Sequence, residues 1–254
     1  MGELAIVYRD EHLVAVHKPS GLLVHRSNID RHETRFALQM ARDQVGQRVY
    51  PVHRLDKPTS GLLLFALSPE TAGQLARQFA AHTVRKEYLA VVRGYCTGEG
   101  VIDHPISVRS DRLADGDRRQ PPPAQSAQTA FRGLATVDIP HAVDRYPSSR
   151  YSLVALSPRQ GRRHQLRRHM KHIGHPIIGD AKYGKGVHNR FFREHYGSDR
   201  LLLACTRLGL SHPVTGKSIT LCADPEASFQ RVMQQLGWTV EATQGGGICT
   251  RHAV

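Results

Sequence analysis

"HRLDKPTSGLLLFA", residues 53–66, sets a single carboxylate, Asp56, ahead of a Lys57-Pro58-Thr59 turn and an apolar strand. Proline followed by a small residue and glycine punctuates a chain entering a strand. The same order recurs in "KPSGLLVH", residues 18–25, where repeated turn chemistry explains the likeness better than duplication does. In an extended segment side chains alternate, so Arg54 and Asp56 share one face while His53 and Leu55 share the other. Two readings of the acid stay open here. A neighbouring guanidinium favours an ionised carboxylate fit for chemistry, and an Asp at this place can equally cap the turn that follows it.

Working outward, "LAIVYRDEHLVAVHKPSGLLVH", residues 4–25, reads as two short strands around a charged turn, hence a hairpin. "SPETAGQLARQFAAH", residues 68–82, reads as a helix, with Ser68 as N-cap, Pro69 at the first helical position, Glu70 in the first turn, and Leu75 and Phe79 four residues apart. "KEYLAVVRG", residues 86–94, alternates as a buried strand and stops at Gly94. Residues 107–129 are charged, then proline-rich, then polar, and are expected to form an exposed insertion. Strands are expected again at 129–139, 151–158, 200–210 and 218–223, a helix from near Gly161 to Gly174, and a short helix around Glu226 to Leu236. Strands come in runs and helices irregularly, which favours an α+β fold with a mixed, mostly antiparallel sheet over a doubly wound parallel one. A single domain over residues 1–240 is expected, followed by a flexible tail over 241–254.

Lys and Arg outnumber Asp and Glu by 35 to 22 in 254 residues, a formal charge of +13, which points to a polyanionic partner. The four cysteines are far apart, contain no C-x-x-C pair and do not read as a disulfide framework, so a cytoplasmic, reducing location is expected. Nothing in the sequence approaches a membrane span. His164, His169, His172 and His175 stand among arginines without a cysteine or acidic ligand nearby, which argues against a metal site. With no G-x-G-x-x-G or P-loop pattern, nucleotide-cofactor binding has no support.

Within "GRRHQLRRHMKHIGHPIIGD", residues 161–180, Arg163, Arg167 and Lys171 recur every four residues along one stripe of the helix. Like charges so spaced repel by a few tenths of a kcal/mol per pair, so something negative should face them. Either the stripe is a solvated phosphate-binding face or one arginine turns inward to a buried carboxylate. Tyr88 is either plain core or a base-stacking ring.

Taken together, "VAVHKPSGLLVH", "HRLDKPTSGLLLFA", "KEYLAVVRG", "GRRHQLRRHMKHIGHPIIGDAKYG" and "RLLLACTRLGLSHPVTGK" resemble, in order and over roughly residues 4–217, the RluA-like family of pseudouridine synthases. The resemblance implies a pseudouridine synthase fold: a long mixed sheet in two halves with flanking helices and a central RNA-binding cleft. It implies Asp56 as the catalytic aspartate, Tyr88 as the residue stacking on the flipped base, Arg167 as the partner of the catalytic carboxylate, and Arg54 as the side chain entering the RNA stack. RNA contact is also expected from His53, Lys18, Arg162, Arg163, His164 and Lys171. The family's reaction implies no cofactor and no metal, and a monomer without an extra N-terminal RNA-binding domain is expected. "HRSNIDRHE", residues 25–33, and the stretch from Arg132 to Gly184 are most similar to the branch acting on uridine 65 in the acceptor stem of transfer RNA. A ribosomal RNA target of the same family is the alternative, with target choice in loops such as 26–35 and 107–129. A silent RNA-binding protein has no use for an acid beside phosphates, and a two-metal nuclease would need further acids.

Overall fold

A computed structural model describes residues 3–26, 32–107 and 123–238. The strands are β1 (Ala5–Arg9), β2 (Leu13–Lys18), β3 (Tyr50–Pro51), β4 (Ser60–Ala66), β5 (Arg85–Arg93), β6 (Glu99–Asp103), β7 (Gln128–Ile139), β8 (Ser149–Pro158), β9 (Leu203–Ser211) and β10 (Ser218–Cys222). The helices are α1 (Ala37–Val45), α2 (Pro69–Ala80), α3 (Gln165–His172), α4 (Gly186–Tyr196) and α5 (Ala227–Gln235). One sheet runs β1-β2-β4-β9-β5-β8-β7-β6, with β3 beside β4 and β10 beside β9.

Every pairing between these strands is antiparallel except β4 with β9, which meet in parallel at Ser60↔Ala204 and Gly61↔Cys205. That short parallel seam joins the two halves of the sheet. Gly61 has φ +106°, and a Cβ there would lie 2.1 Å from the Cys205 carbonyl oxygen, so only glycine lets the halves close. The turn-glycine-strand signature of residues 57–66 therefore marks the centre of the fold.

The middle strands are covered on both faces, which is why they read as continuous apolar runs. Along β4, Leu62, Leu64 and Ala66 join one core with α2's Leu75 and α3's Leu166 and Met170, whereas Leu63 and Phe65 join another with α1's Ala37 and Ala41. Along β5, Tyr88, Ala90 and Val92 face the first core, and Leu89 and Val91 face a third built on α4's Phe191 and Phe192 and α5's Phe229. Ser68 caps α2 by accepting the Thr71 amide at 3.2 Å.

Several expectations change. The helix expected from Gly161 begins at Gln165, because His164 sits at φ 57°, outside the helical region. Helices α1 and α4 and strand β6 were not anticipated. In α1 only two alanines are buried, and α4 carries adjacent phenylalanines among charges, so neither shows a clear apolar stripe. The insertion ends earlier than expected: Ala127 and Thr129 are fully buried and Gln128 opens β7. Residues 108–122 of that insertion, 27–31 of the other candidate specificity loop and the tail expected over 241–254 lie outside the described residues. Cys96 and Cys205 are free and buried, whereas Cys222 is disulfide-bonded, a departure from the reading of unpaired thiols. Among the described residues no helix is long and apolar enough to cross a membrane.

Candidate active site

Asp56 lies just before β4, at the seam between the halves, and its loop is held by the preceding turn. Leu55 is buried in the core, the Thr59 amide donates to the Asp56 carbonyl at 3.0 Å, and the Gly21 amide donates to the Lys57 carbonyl at 2.9 Å. Lys18, with no exposed surface, donates from Nζ to the carbonyls of Pro19, Leu22 and Lys57 at 2.9, 2.8 and 3.1 Å. Burial pulls its pKa down to about 7. The ammonium expected to meet RNA is instead a staple behind the loop.

With Leu55 turned inward, Asp56 presents its side chain to a cleft of about 540 Å³ lined by Arg54, Tyr88, Lys86, His164, Arg167 and Leu203 among others. Arg167 donates from Nη1 to Asp56 Oδ2 at 3.2 Å. The same guanidinium makes a bidentate pair with Asp180, Nε to Oδ2 at 2.7 Å and Nη2 to Oδ1 at 2.8 Å. The like-charged stripe is thus resolved: Arg163 and Lys171 are exposed, while Arg167, 6% exposed, turns inward between two carboxylates. A planar fork with five donors can serve two acids at once, and an ammonium cannot.

Asp180 is fully buried and also accepts the amides of Lys182 and Tyr183 at 2.9 and 3.0 Å. Burial opposes its charge, yet the bonds from Arg167 and the two amides outweigh that, and its pKa lies below the usual carboxylate range. For Arg167, burial likewise opposes the charge and Asp180 and Asp56 more than offset it, raising the pKa. Asp180 was missed in the sequence. The signal was available, because a buried arginine needs a carboxylate and Asp180 follows its helix within the same stretch.

The start of α3 is fixed by buried polar groups. Gln165 donates to the Gln128 carbonyl at 2.9 Å and to Thr129 Oγ1 at 3.1 Å, and His169 Nδ1 lies 2.9 Å from the same hydroxyl. His164 holds a left-handed conformation that few side chains adopt, with Nδ1 3.0 Å from the Tyr183 hydroxyl and Nε2 3.9 Å from Asp56 Oδ2. Burial, aided by Arg167, Arg163 and Lys182, outweighs the pull of Asp56 and lowers its pKa to about 4, so near neutrality the imidazole is uncharged.

Tyr88 pairs with Cys205 across β5 and β9, and its ring lines the cleft at 9% exposure. Burial, then Cys205, raises its pKa well above 10, so the phenol stays protonated. Lys86, beside it, is tied to the carbonyls of Arg159 and Gln160. Arg54, Arg162, Arg163 and His164 line the cleft, whereas Lys171 is exposed and does not line it. His53 does not belong to that set: its Nε2 accepts the Leu64 amide at 3.0 Å, its ring stacks on Phe79, and burial, with Lys86 nearby, lowers its pKa to about 4. It closes the β4 hydrogen-bond ladder from the side.

The arrangement is one solvent-reachable carboxylate held by a buried guanidinium, beside an aromatic face and under exposed arginines. Such a cleft can receive an extruded base, stack it and act on its sugar. A family model described as RNA pseudouridylate synthase matches residues 12–172. The chain is 51% identical over 239 residues to tRNA pseudouridine synthase C of Pasteurella multocida, covering 94% of this chain and 98% of that one. It is 47% identical over 239 residues to tRNA pseudouridine synthase C of Vibrio parahaemolyticus, covering 94% and 97%. The solved structure of human RNA Pseudouridylate Synthase Domain Containing 1 superposes with a TM-score of 0.67 at 25% identity, over 93% of this chain and 96% of that one.

Proposed function

Because the chain belongs to the RNA pseudouridylate synthase family, we propose that it isomerises one uridine of transfer RNA, uridine 65 of the acceptor stem, and that Asp56 is the carboxylate on which the reaction depends. The observation carrying this reading is the Arg167 guanidinium shared between Asp56 in the cleft and Asp180 beneath it. The transfer RNA substrate is supported by the names of the relatives, and the acceptor-stem position by the likeness of the residues from Arg132 to Gly184.

Isomerisation breaks N1–C1′, turns the uracil within the cleft and forms C5–C1′; the C5 proton leaves and N1 gains one. No redox change or energy input is involved. Asp56 either stabilises or traps electron-poor C1′ or takes a proton from the sugar. Arg167 holds that carboxylate against the desolvation that a bound base imposes. Tyr88 stacks on the extruded uracil, and Arg54, exposed above Asp56, fills the space the nucleotide leaves. Extrusion costs a few kcal/mol, which phosphate contacts offset. A monomer acting in the cytoplasm is part of the same proposal.

Purified protein incubated with unmodified transfer RNA transcript should produce one carbodiimide-dependent primer-extension stop, in the acceptor stem. Asp56→Ala should abolish the stop while RNA affinity remains. Stops confined to ribosomal RNA would overturn the substrate, and an active Asp56→Ala protein would overturn the role of the carboxylate.

A further inference from the structure

A second cleft, of about 920 Å³, opens at the far end of β5 and is lined by Arg93, Arg145, Arg150, Lys185, Tyr146 and His188, with Asp144, Ser148 and Ser149 at its side. Arg93 lies five residues beyond Tyr88, about 17 Å along an extended strand. By alternation it shares the face of Leu89 and Val91, opposite to that of Tyr88. A nucleotide seated at Asp56 does not reach it.

The floor is His188, 4% exposed, whose Nδ1 lies 2.8 Å from the Tyr151 hydroxyl. Burial, followed by Arg93, lowers the His188 pKa to about 4, and burial raises that of Tyr151, so both stay neutral. The ring's Nε2 has no hydrogen-bond partner among the described residues, which leaves it to a ligand in the cleft that His188 lines. Around this buried imidazole stand three arginines and Lys185, against one carboxylate, Asp144, which is bonded to Lys185. At the rim, Arg145 lies over the Tyr146 ring at 4.8 Å and Arg150 over the Tyr95 ring at 5.3 Å, and both tyrosines are about half exposed.

We propose that this second cleft binds a phosphate of the RNA substrate outside the segment held at Asp56. Donors converging on a pocket with this excess of positive charge select an anion with several acceptor oxygens. Exposed tyrosines backed by arginines add faces on which a base can stack. The cleft therefore adds affinity for a full-length RNA and takes no part in the isomerisation. It rests on the RNA substrate proposed above.

The test is the exposed double variant Arg145→Glu/Arg150→Glu, with unchanged thermal melting as the folding control. Affinity for transfer RNA transcript is measured by filter binding at about 50 and 200 mM salt, where losing one phosphate contact should make the affinity fall about three- to fourfold less than in wild type. KM for the transcript should rise with kcat unchanged, and a short hairpin containing the target uridine should bind both proteins equally. Inorganic phosphate and ATP are titrated in a parallel melting assay. Equal transcript affinity and equal salt dependence for the two proteins overturn the proposal. Loss of stabilisation by phosphate or ATP without loss of transcript affinity overturns it in favour of a free phosphoryl ligand. If wild type turns over no uridine, the functional reading fails while the binding comparison still decides the cleft.

Discussion

Replacing Asp180 by Asn separates the two carboxylates that share Arg167. The isosteric amide keeps the volume and one acceptor, but its NH2 must face either Nε or Nη2 of the guanidinium, donor against donor. Both side chains are almost wholly buried, so water cannot replace the lost contact. Removing one partner of a buried pair costs about 3–5 kcal/mol; because Arg167 keeps Asp56 at 3.2 Å, the lower end, about 3 kcal/mol, is expected. For a chain of this length that corresponds to a melting temperature lower by about 6–12 °C. Pulled toward its remaining acid, Arg167 also changes the orientation of Asp56, so kcat should fall at least tenfold while KM moves little. Asp56→Asn gives the opposite pattern: no turnover, and melting within about 2 °C of wild type, since that carboxylate is 24% exposed and bonded once to Arg167. Calorimetry on both variants, alongside single-turnover assays, reads the two roles apart. An Asp180→Asn protein melting with wild type would refute the reasoning, because it would mean the Arg167 charge does not depend on the acid beneath it.

Two further outcomes follow from the same geometry. Gly61→Ala should destabilise by about 3 kcal/mol or more, since a Cβ at φ +106° meets the Cys205 backbone, whereas Gly73→Ala in α2, with open space around it, should stabilise by about 0.5–1 kcal/mol; denaturant midpoints compare them, and a Gly61→Ala protein as stable as wild type sinks the account of the seam. Asp10 accepts the Tyr8 hydroxyl at 2.5 Å, the His12 and Leu13 amides at 2.8 and 2.7 Å, and lies 2.9 Å from His212 Nε2, tying the β1–β2 turn to the β9–β10 turn. Burial opposes its charge and these bonds outweigh that, so its folded pKa lies below the unfolded value; the resulting stability is present above about pH 4 and is lost as pH falls through the folded pKa. Asp10→Asn should melt lower at pH 7 by about 1.5–3 kcal/mol equivalent and show a smaller loss between pH 5 and 2, and an unchanged acid limb would remove Asp10 from the linkage.

The α2 cap and the strands β4, β5, β8 and β9 were legible because their signals are local. A serine before proline, a glycine before an apolar run and alternation along a strand each act within a few residues. Helices α1 and α4 were not, because packing against the sheet rather than periodicity decides them. His53 and Lys18 looked like RNA contacts for a related reason. A cation or imidazole beside a catalytic motif has the same letters whether it faces solvent or donates to three carbonyls.

By itself, the sequence determined the strand-rich α+β architecture, a polyanionic partner, and Asp56, Tyr88 and Arg167 as the residues to examine. Only the tertiary structure decided that Asp180 lies beneath Arg167 and shares its guanidinium with Asp56. It also decided that His188 and the arginines around it form a second cleft. Those are contacts between side chains far apart in the chain or set by a turn's exact path, and desolvation, which gives a buried charge its need for a partner, exists only once the chain has closed around it.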